Sequence, residues 1–212
     1  MRALAGLRFD APVTFLVGEN GSGKSTIIEA LADALRFDAE GGTTGTELGP
    51  RRPSGERLGP ALELEVGRRK PRQAFFLRAE SFSRVAQRID HEELTVYGDV
   101  PLLEQSHGES FLALASNRFG ADGLFVLDEP EAALSVTSAL AFLAVVHRAA
   151  SAGAQFIVAT HSPVLLAVPG ARIYELDEDG ATAVAWEDAL PTRLTRAFVN
   201  APSASCTSSS GP

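Results

Sequence analysis

A doubly wound α/β fold, with a mainly parallel sheet between helices and an antiparallel hairpin at one edge, is the architecture the sequence predicts. Three observations carry it. A short β-branched and aromatic run at 13–17 (VTFLV) leads through the glycine-rich segment GENGSGKST at 18–26 into a helical pattern with Ile27, Ile28, Leu31 and Leu35. Two later apolar runs, 123–127 (GLFVL) and 154–159 (AQFIVA), are continuous rather than alternating, as expected of strands buried on both faces, and each ends in a polar tip. Between them, 131–150 is a long Ala/Leu/Val-rich helical stretch, so strand and helix alternate as a parallel sheet requires.

Taken in order, residues 4–9 form an apolar lead that reads as an edge strand, ended by the turn Asp10-Ala11-Pro12. The strand 13–17 and the helix 25–35 follow. Residues 40–60 are rich in Gly, Thr, Pro and Arg without periodicity and read as a surface loop. The run 61–66 (ALELEV) alternates, 67–72 makes a basic turn and 73–78 (QAFFLR) returns, which predicts a hairpin with one wet face. Ser81 is placed to cap a short helix that fades into a polar loop over 90–101. Ser106 and Glu109 have capping-box spacing ahead of Phe111, Leu112, Leu114 and Ala115. The stretches 172–176 and 182–186 alternate around the turn 177–180, an edge hairpin. A final amphipathic helix over 187–199 is expected to pack on the body. We expect one domain over 1–200 and a disordered Ser-rich tail over 201–212.

Composition narrows the function classes. A chain of 212 residues supports one substantial core, and a net charge of −8 argues against a protein that coats nucleic acid. The basic residues are concentrated between Arg51 and Arg88, so a nucleic-acid or protein partner for that segment stays open, although solvated surface is the plainer reading. The single cysteine, Cys206, supplies neither a disulfide framework nor a metal cluster and fits a reducing cytoplasm. Arg8 and Asp10 interrupt the N-terminal apolar residues before a signal core can form. The longest apolar stretch, 139–146, is far short of the roughly 20 residues of a membrane span.

The glycine-rich segment carries the chemistry. Gly18, Glu19, Asn20, Gly21, Ser22, Gly23, Lys24, Ser25 and Thr26 fit G-x-x-x-x-G-K-[ST] between a strand and a helix, the context in which backbone N–H groups and a helix N-terminus cradle phosphates. Lys24 is expected on the β and γ phosphates of ATP, and the Ser25 hydroxyl on Mg²⁺, which prefers hard oxygen donors. Asp128 ends a buried strand about a hundred residues later, where a carboxylate can hold the same Mg²⁺, and Glu129 beside it is the expected general base. The bland alternative is solvent-facing punctuation before Pro130. His161 follows another buried strand, which sets it within reach of the γ-phosphate or the attacking water. A lone histidine is more often a satisfied polar group, and His91 and His147 are read that way.

The ordered set GENGSGKST, QSHGES, FVLDEPEAALS and IVATHSP resembles the phosphate loop, signature, acidic motif and switch histidine of ABC-type ATPases. More narrowly, the chain is similar to small stand-alone ABC-like ATPases of the AAA grouping, related to SMC- and RecF-type heads. The resemblance spans roughly residues 7–199. It implies a P-loop NTPase fold, ATP hydrolysis, and a homodimer sandwiching two ATP molecules, with Ser106 and Gly108 of one copy reaching the phosphate loop of the other. Three departures stand out: His107 and Glu109 replace the usual Gly and Gln of the signature, and Ser135 stands where many transporters have Asp. The glutamine that usually contacts Mg²⁺ is unplaced, with Glu80, or less well Gln73, in its position. No heptad arm of the SMC kind is present. The main reading is an Mg²⁺-dependent ATPase serving an unknown process, DNA-related or in defence or repair. The alternatives are a slow-turnover, nucleotide-gated dimerisation switch and, more remotely, a small-molecule kinase, which would need a lid and an acceptor pocket.

Overall fold

A computed structural model describes residues 7–37, 42–43, 62–67, 71–91 and 100–202. Its strands are β1 (Val13–Gly18), β2 (Gly42–Thr43), β3 (Gln73–Arg78), β4 (Gly123–Asp128), β5 (Gln155–Ala159), β6 (Arg172–Leu176) and β7 (Ala181–Val184), joined in one sheet of order β2-β3-β4-β5-β1-β6-β7. The five inner strands are parallel, and the edge strands β2 and β7 pair antiparallel. The helices are α1 (Lys24–Ala34), α2 (Phe82–His91), α3 (His107–Arg118), α4 (Val136–Ser151) and α5 (Leu190–Asn200). None of the helices among the described residues is long and apolar enough to cross a membrane.

Strand periodicity splits the core between the two faces of the sheet. Val13, Phe15 and Val17 of β1, Phe125 and Leu127 of β4, and Phe156 and Val158 of β5 pack beneath α2, α3 and α4. The intervening Leu16, Val126 and Ile157 pack beneath α1 with Phe37 and the lead residues Leu7 and Phe9. The first face is rich in aromatics: Phe119 lies 4.5 Å from Phe125 and 5.5 Å from Phe156 between ring centroids, tilted or edge-on rather than stacked. Both faces of the central strands are thus covered, which is why 123–127 and 154–159 read as unbroken apolar runs.

Several expectations change. The predicted hairpin of 61–66 with 73–78 is absent: residues 62–67 have no regular structure, Ala61 and 68–70 lie outside the described residues, and 73–78 is an inner strand parallel to β4. It has no wet face at its middle, since Phe75, Phe76 and Leu77 are all buried. The described part of the lead, 7–10, is irregular rather than a strand, although Leu7 and Phe9 pack on the core and Tyr174 Oη donates to the Arg8 carbonyl at 3.2 Å. The two-residue β2 falls inside the expected loop 40–60, whose remainder lies outside the described residues. Ser81 is not a side-chain acceptor cap; it closes a 3-10 turn and its Oγ donates to the Arg78 carbonyl at 3.3 Å. Of the polar loop 90–101, residues 92–99 lie outside the described residues, while Asp90 accepts from the N–H groups of Leu102 and Leu103 at 2.9 and 2.8 Å.

The predicted helix 131–150 divides into a 3-10 turn, Pro130–Ala133, and α4, which starts afresh because the Ser135 side chain accepts from the Ser138 N–H at 3.1 Å. The edge hairpin is present as β6 and β7, with Asp177 Oδ1 accepting from the N–H groups of Asp179 and Gly180 at 2.9 Å each. In α5 only the start is held. The Leu190 N–H donates to Glu175 Oε2 at 2.8 Å and Pro191 and Thr192 are buried, whereas Leu194 and Phe198 are 60% and 53% exposed, so most of this helix does not pack on the body as expected. The tail from 203 lies outside the described residues.

Candidate functional site

Strand register sets one level for everything that follows. Arg78 pairs with Asp128, Asp128 with Ala159, Ala159 with Leu16, and Gly18 with Leu176, so the carboxyl ends of five parallel strands form a single rim. Ligands of open α/β sheets bind at such rims.

Beside the central strand β5, β1 turns at the rim into the glycine-rich loop. Gly18 has φ +148, and a Cβ there would stand 2.5 Å from the Leu176 carbonyl oxygen and 2.7 Å from Ser22 Oγ. Gly18→Ala is therefore expected to destabilise the fold by about 2–4 kcal/mol, because the clash is with backbone and the φ is disfavoured for any L side chain; urea unfolding followed by circular dichroism checks it. At the other end of the loop Gly23 caps α1 in the left-handed region (φ 93) with no side-chain cap, so the N–H groups of the first turn are left for another acceptor. Lys24, 4% exposed, donates from Nζ to the carbonyls of Gly18 and Glu19 at 3.1 and 2.9 Å. Burial lowers its pKa, while Glu129, Asp128 and Glu131 act against that.

Two strands over in the sheet, across β5, Ser25 Oγ donates to Asp128 Oδ1 at 3.2 Å, joining the start of α1 to the end of β4. Asp128 is 6% exposed, and burial pushes its carboxyl up to about 6, against which the Arg78 guanidinium and the Ser25 hydrogen bond pull down. Glu129 adopts φ 50, ψ 50, a left-handed conformation uncommon outside glycine, asparagine and aspartate, with its N–H donating to the Ala159 carbonyl at 2.9 Å. This turn brings Glu129 Oε1 to 3.6 Å from His161 Nε2. The His161 backbone N–H in turn donates to Glu131 Oε1. Of two acids in one motif, Glu131 therefore holds the histidine by its backbone while Glu129 faces its ring.

The structure gathers Ser25, Asp128 and Glu129 around one cleft of about 360 Å³, shared with Arg78, Glu80 and His107. Glu19, Asn20 and His161 border an adjoining hollow of about 500 Å³ with the first turns of α5. Ser106 and Gly108 line neither. Ser106 closes the predicted capping box with Glu109, whose carboxyl is held below its usual range by the hydrogen bonds from Ser106. A Cβ on Gly108 would meet the Ala133 carbonyl at 3.3 Å, so the start of α3 is packed on the 3-10 turn that follows the acidic motif. Gln73 is removed from the site: it starts β3, at the opposite end from the rim, and its amide meets the Gly120 N–H at 3.1 Å and the Arg118 carbonyl at 3.2 Å. Glu80 stays at the cleft with its side chain 88% exposed.

Sequence reasoning missed Arg78 and Glu131. Both are charged residues beside recognised motifs, and each reads from sequence as the polar end of a strand or the exposed face of a helix. What distinguishes each is one buried side-chain atom without a hydrogen-bond partner. Among the described residues, buried side-chain atoms lacking a hydrogen-bond partner include Ser22 Oγ, Arg78 Nε, Glu131 Oε2 and His161 Nε2, four polar atoms at this one rim. Native interiors leave few such atoms, and their concentration fits a site completed by a polar ligand. The donor set also fits a hard cation: a hydroxyl and a carboxylate, both oxygen. No group of three His, Cys, Asp or Glu side chains among the described residues is arranged to hold a metal, so a cation here would complete its shell from phosphate and water, as Mg²⁺ commonly does.

Residues 5–78 match the family model described as AAA domain, and residues 81–167 match a second AAA-domain model whose description adds the AbiEii toxin of a Type IV TA system. No curated protein matches the chain. Among solved structures, it is similar to an ABC transporter of the metal-chelate type in an inward-facing conformation, at 17% identity and a TM-score of 0.51, covering 89% of this chain and 77% of that one. It is also similar to the SMC head domain from Thermotoga maritima, at 18% identity and a TM-score of 0.46, covering 84% and 91% respectively.

Proposed function

We propose that this chain, matched in two parts by AAA-domain models, is a P-loop ATPase-type domain related to SMC and ABC heads, that it binds ATP with Mg²⁺ and hydrolyses it, and that two copies sandwich the nucleotide. The observation that carries the reading is the union of two groups far apart in sequence. A hydroxyl at the start of the phosphate-loop helix bonds a buried carboxylate 103 residues away, and the next residue is a strained acid facing a histidine.

Each side chain then has a task. Lys24 exchanges its carbonyl partners for phosphate oxygens, and the N–H groups of the first turn of α1 bind the anion. Ser25 and Asp128 hold the cation, whose chemistry is to neutralise charge on the phosphates. Glu129 accepts the proton of the attacking water, and His161 orients it from the other side. Burial of this rim strengthens those charges relative to water. The signature residues Ser106 and Gly108 belong to the neighbouring copy's site in this reading.

The test is steady-state phosphate release from ATP and Mg²⁺ by the wild type and Lys24→Ala, beside sedimentation of Glu129→Gln with and without ATP. Turnover lost in Lys24→Ala supports the ATPase, and an ATP-dependent dimer supports the sandwich. A monomer under both conditions removes the dimer.

One observation favours the slow-turnover switch as the second reading. Ser106 is bonded by Glu109 through both its Oγ and its N–H, so the hydroxyl proposed to reach a neighbour's phosphate is already engaged. Glu109→Gln then raises turnover if this capping acid restrains the signature. A cellular process, whether DNA-related or in defence or repair, and a nucleic-acid partner for the basic segment stay part of the proposal; phosphate release measured with and without DNA at low salt tests the latter.

A further inference from the structure

We propose that Arg78 is a positioning residue which reserves one oxygen of Asp128, so that the cation site on Ser25 and Asp128 favours Mg²⁺ over Ca²⁺. This rests on the reading of that site as a nucleotide-bound cation site.

The two oxygens of Asp128 have different neighbours. Oδ1 accepts from Ser25 Oγ at 3.2 Å, and Oδ2 faces Arg78 Nε at 3.7 Å. Arg78 is held there by two independent constraints. Its backbone is in register with Asp128 at the ends of adjacent parallel strands, and its Nη1 lies 2.8 Å from Glu29 Oε1, four residues beyond Ser25 on α1. Ser25, Asp128, Arg78 and Glu29 thus close a ring from helix to strand to strand and back to the helix. Within it Arg78 Nε is buried and lacks a hydrogen-bond acceptor, so the planar guanidinium still has a donor to give on the Asp128 side.

That arrangement bears on metal choice through coordination chemistry. Ca²⁺ takes six to eight oxygens and readily accepts a carboxylate through both of its atoms, whereas Mg²⁺ demands a compact octahedron and uses single carboxylate oxygens with retained waters. With Oδ2 faced by a fixed cation, Asp128 offers one oxygen, which suits Mg²⁺ and denies Ca²⁺ its chelate. Lys24 cannot substitute, because its ammonium is directed to the loop carbonyls and, in the proposed nucleotide complex, to phosphate oxygens.

The experiment titrates a fluorescent ATP analogue into wild type, Arg78→Gln and Glu29→Gln in Mg²⁺ alone and in Ca²⁺ alone, with melting curves of the ligand-free proteins. The ratio of the Ca²⁺ to the Mg²⁺ dissociation constant is expected to fall about fivefold in Arg78→Gln, and less in Glu29→Gln, which loosens Arg78 without removing it. An unchanged ratio in Arg78→Gln overturns the assignment. Should that variant fail to fold, an unchanged ratio in Glu29→Gln does the same. Wild type that binds no nucleotide with either metal overturns the nucleotide reading itself, so the two failures are distinguishable.

Discussion

Glu129→Gln is expected to lower ATP turnover by about 10²–10⁴-fold while leaving nucleotide affinity within about threefold, since a positioned general base contributes to the transition state and little to ground-state binding. The substitution isolates that role. Gln keeps the size and hydrogen-bonding reach of Glu, and both pay the same cost for the left-handed backbone at this position, φ 50. The 3.6 Å approach to His161 Nε2 loses its charge but not its geometry. Phosphate release and equilibrium binding of a fluorescent nucleotide, measured on the same preparation, separate the two quantities. Turnover equal to wild type would remove Glu129 from the base position and direct attention to His161 or Glu131, the histidine and the acid among the rim groups with an orphaned polar atom.

Asp128→Asn is expected to do two opposite things: abolish the metal dependence of nucleotide binding and stabilise the ligand-free protein at neutral pH by about 1–3 kcal/mol. The stabilisation follows from the carboxyl being raised from 3.8 to about 6 by burial. Between those values the folded chain holds a proton that the unfolded chain has released. The stability that this proton confers is complete below about pH 4 and is lost as pH rises through about 6, so at pH 7 the fold carries the cost of a buried carboxylate. An amide at 128 avoids that cost at every pH. Urea unfolding of both proteins at pH 5 and pH 7 checks it: the gap between them should widen with pH. A carboxylate retained against fold stability is a common signature of a group kept for its ligand.

The phosphate loop and the acidic motif were legible because each places rare residue types at fixed spacing at the end of an apolar strand. Gly18, Lys24, Ser25, Asp128, Glu129 and His161 reach one rim because β1, β4 and β5 are adjacent and parallel. Strand order is what the sequence could not express. The run QAFFLR at 73–78 reads as half of a hairpin, since the alternating ALELEV lies just before it; in the structure its partner is β4, fifty residues on, and only that pairing puts Arg78 beside Asp128. Long-range pairing of this kind leaves no local mark. Glu131 was hidden for another reason. The motif's Pro130 suggests a helix already begun, whereas the Ser135 cap delays α4 and frees the turn before it to aim Glu131 at His161.

The shared level of Leu16, Arg78, Asp128 and Ala159 in the ladder, with Gly18 two residues beyond it, makes the site a gauge of folding fidelity. A shift of one residue in any of these strands turns its side chains to the opposite face and moves them about 3.3 Å along the strand. A refolded sample with β4 misregistered would retain helix content and compactness, pass a circular dichroism comparison, and still lack the hydrogen bond from Ser25 to Asp128. Because parallel pairing between distant segments is slow to find its partner, such trapped species are a foreseeable hazard of preparing this chain from denaturant. On the proposed function, metal-dependent nucleotide binding rather than spectroscopy is expected to measure how much of a preparation is native.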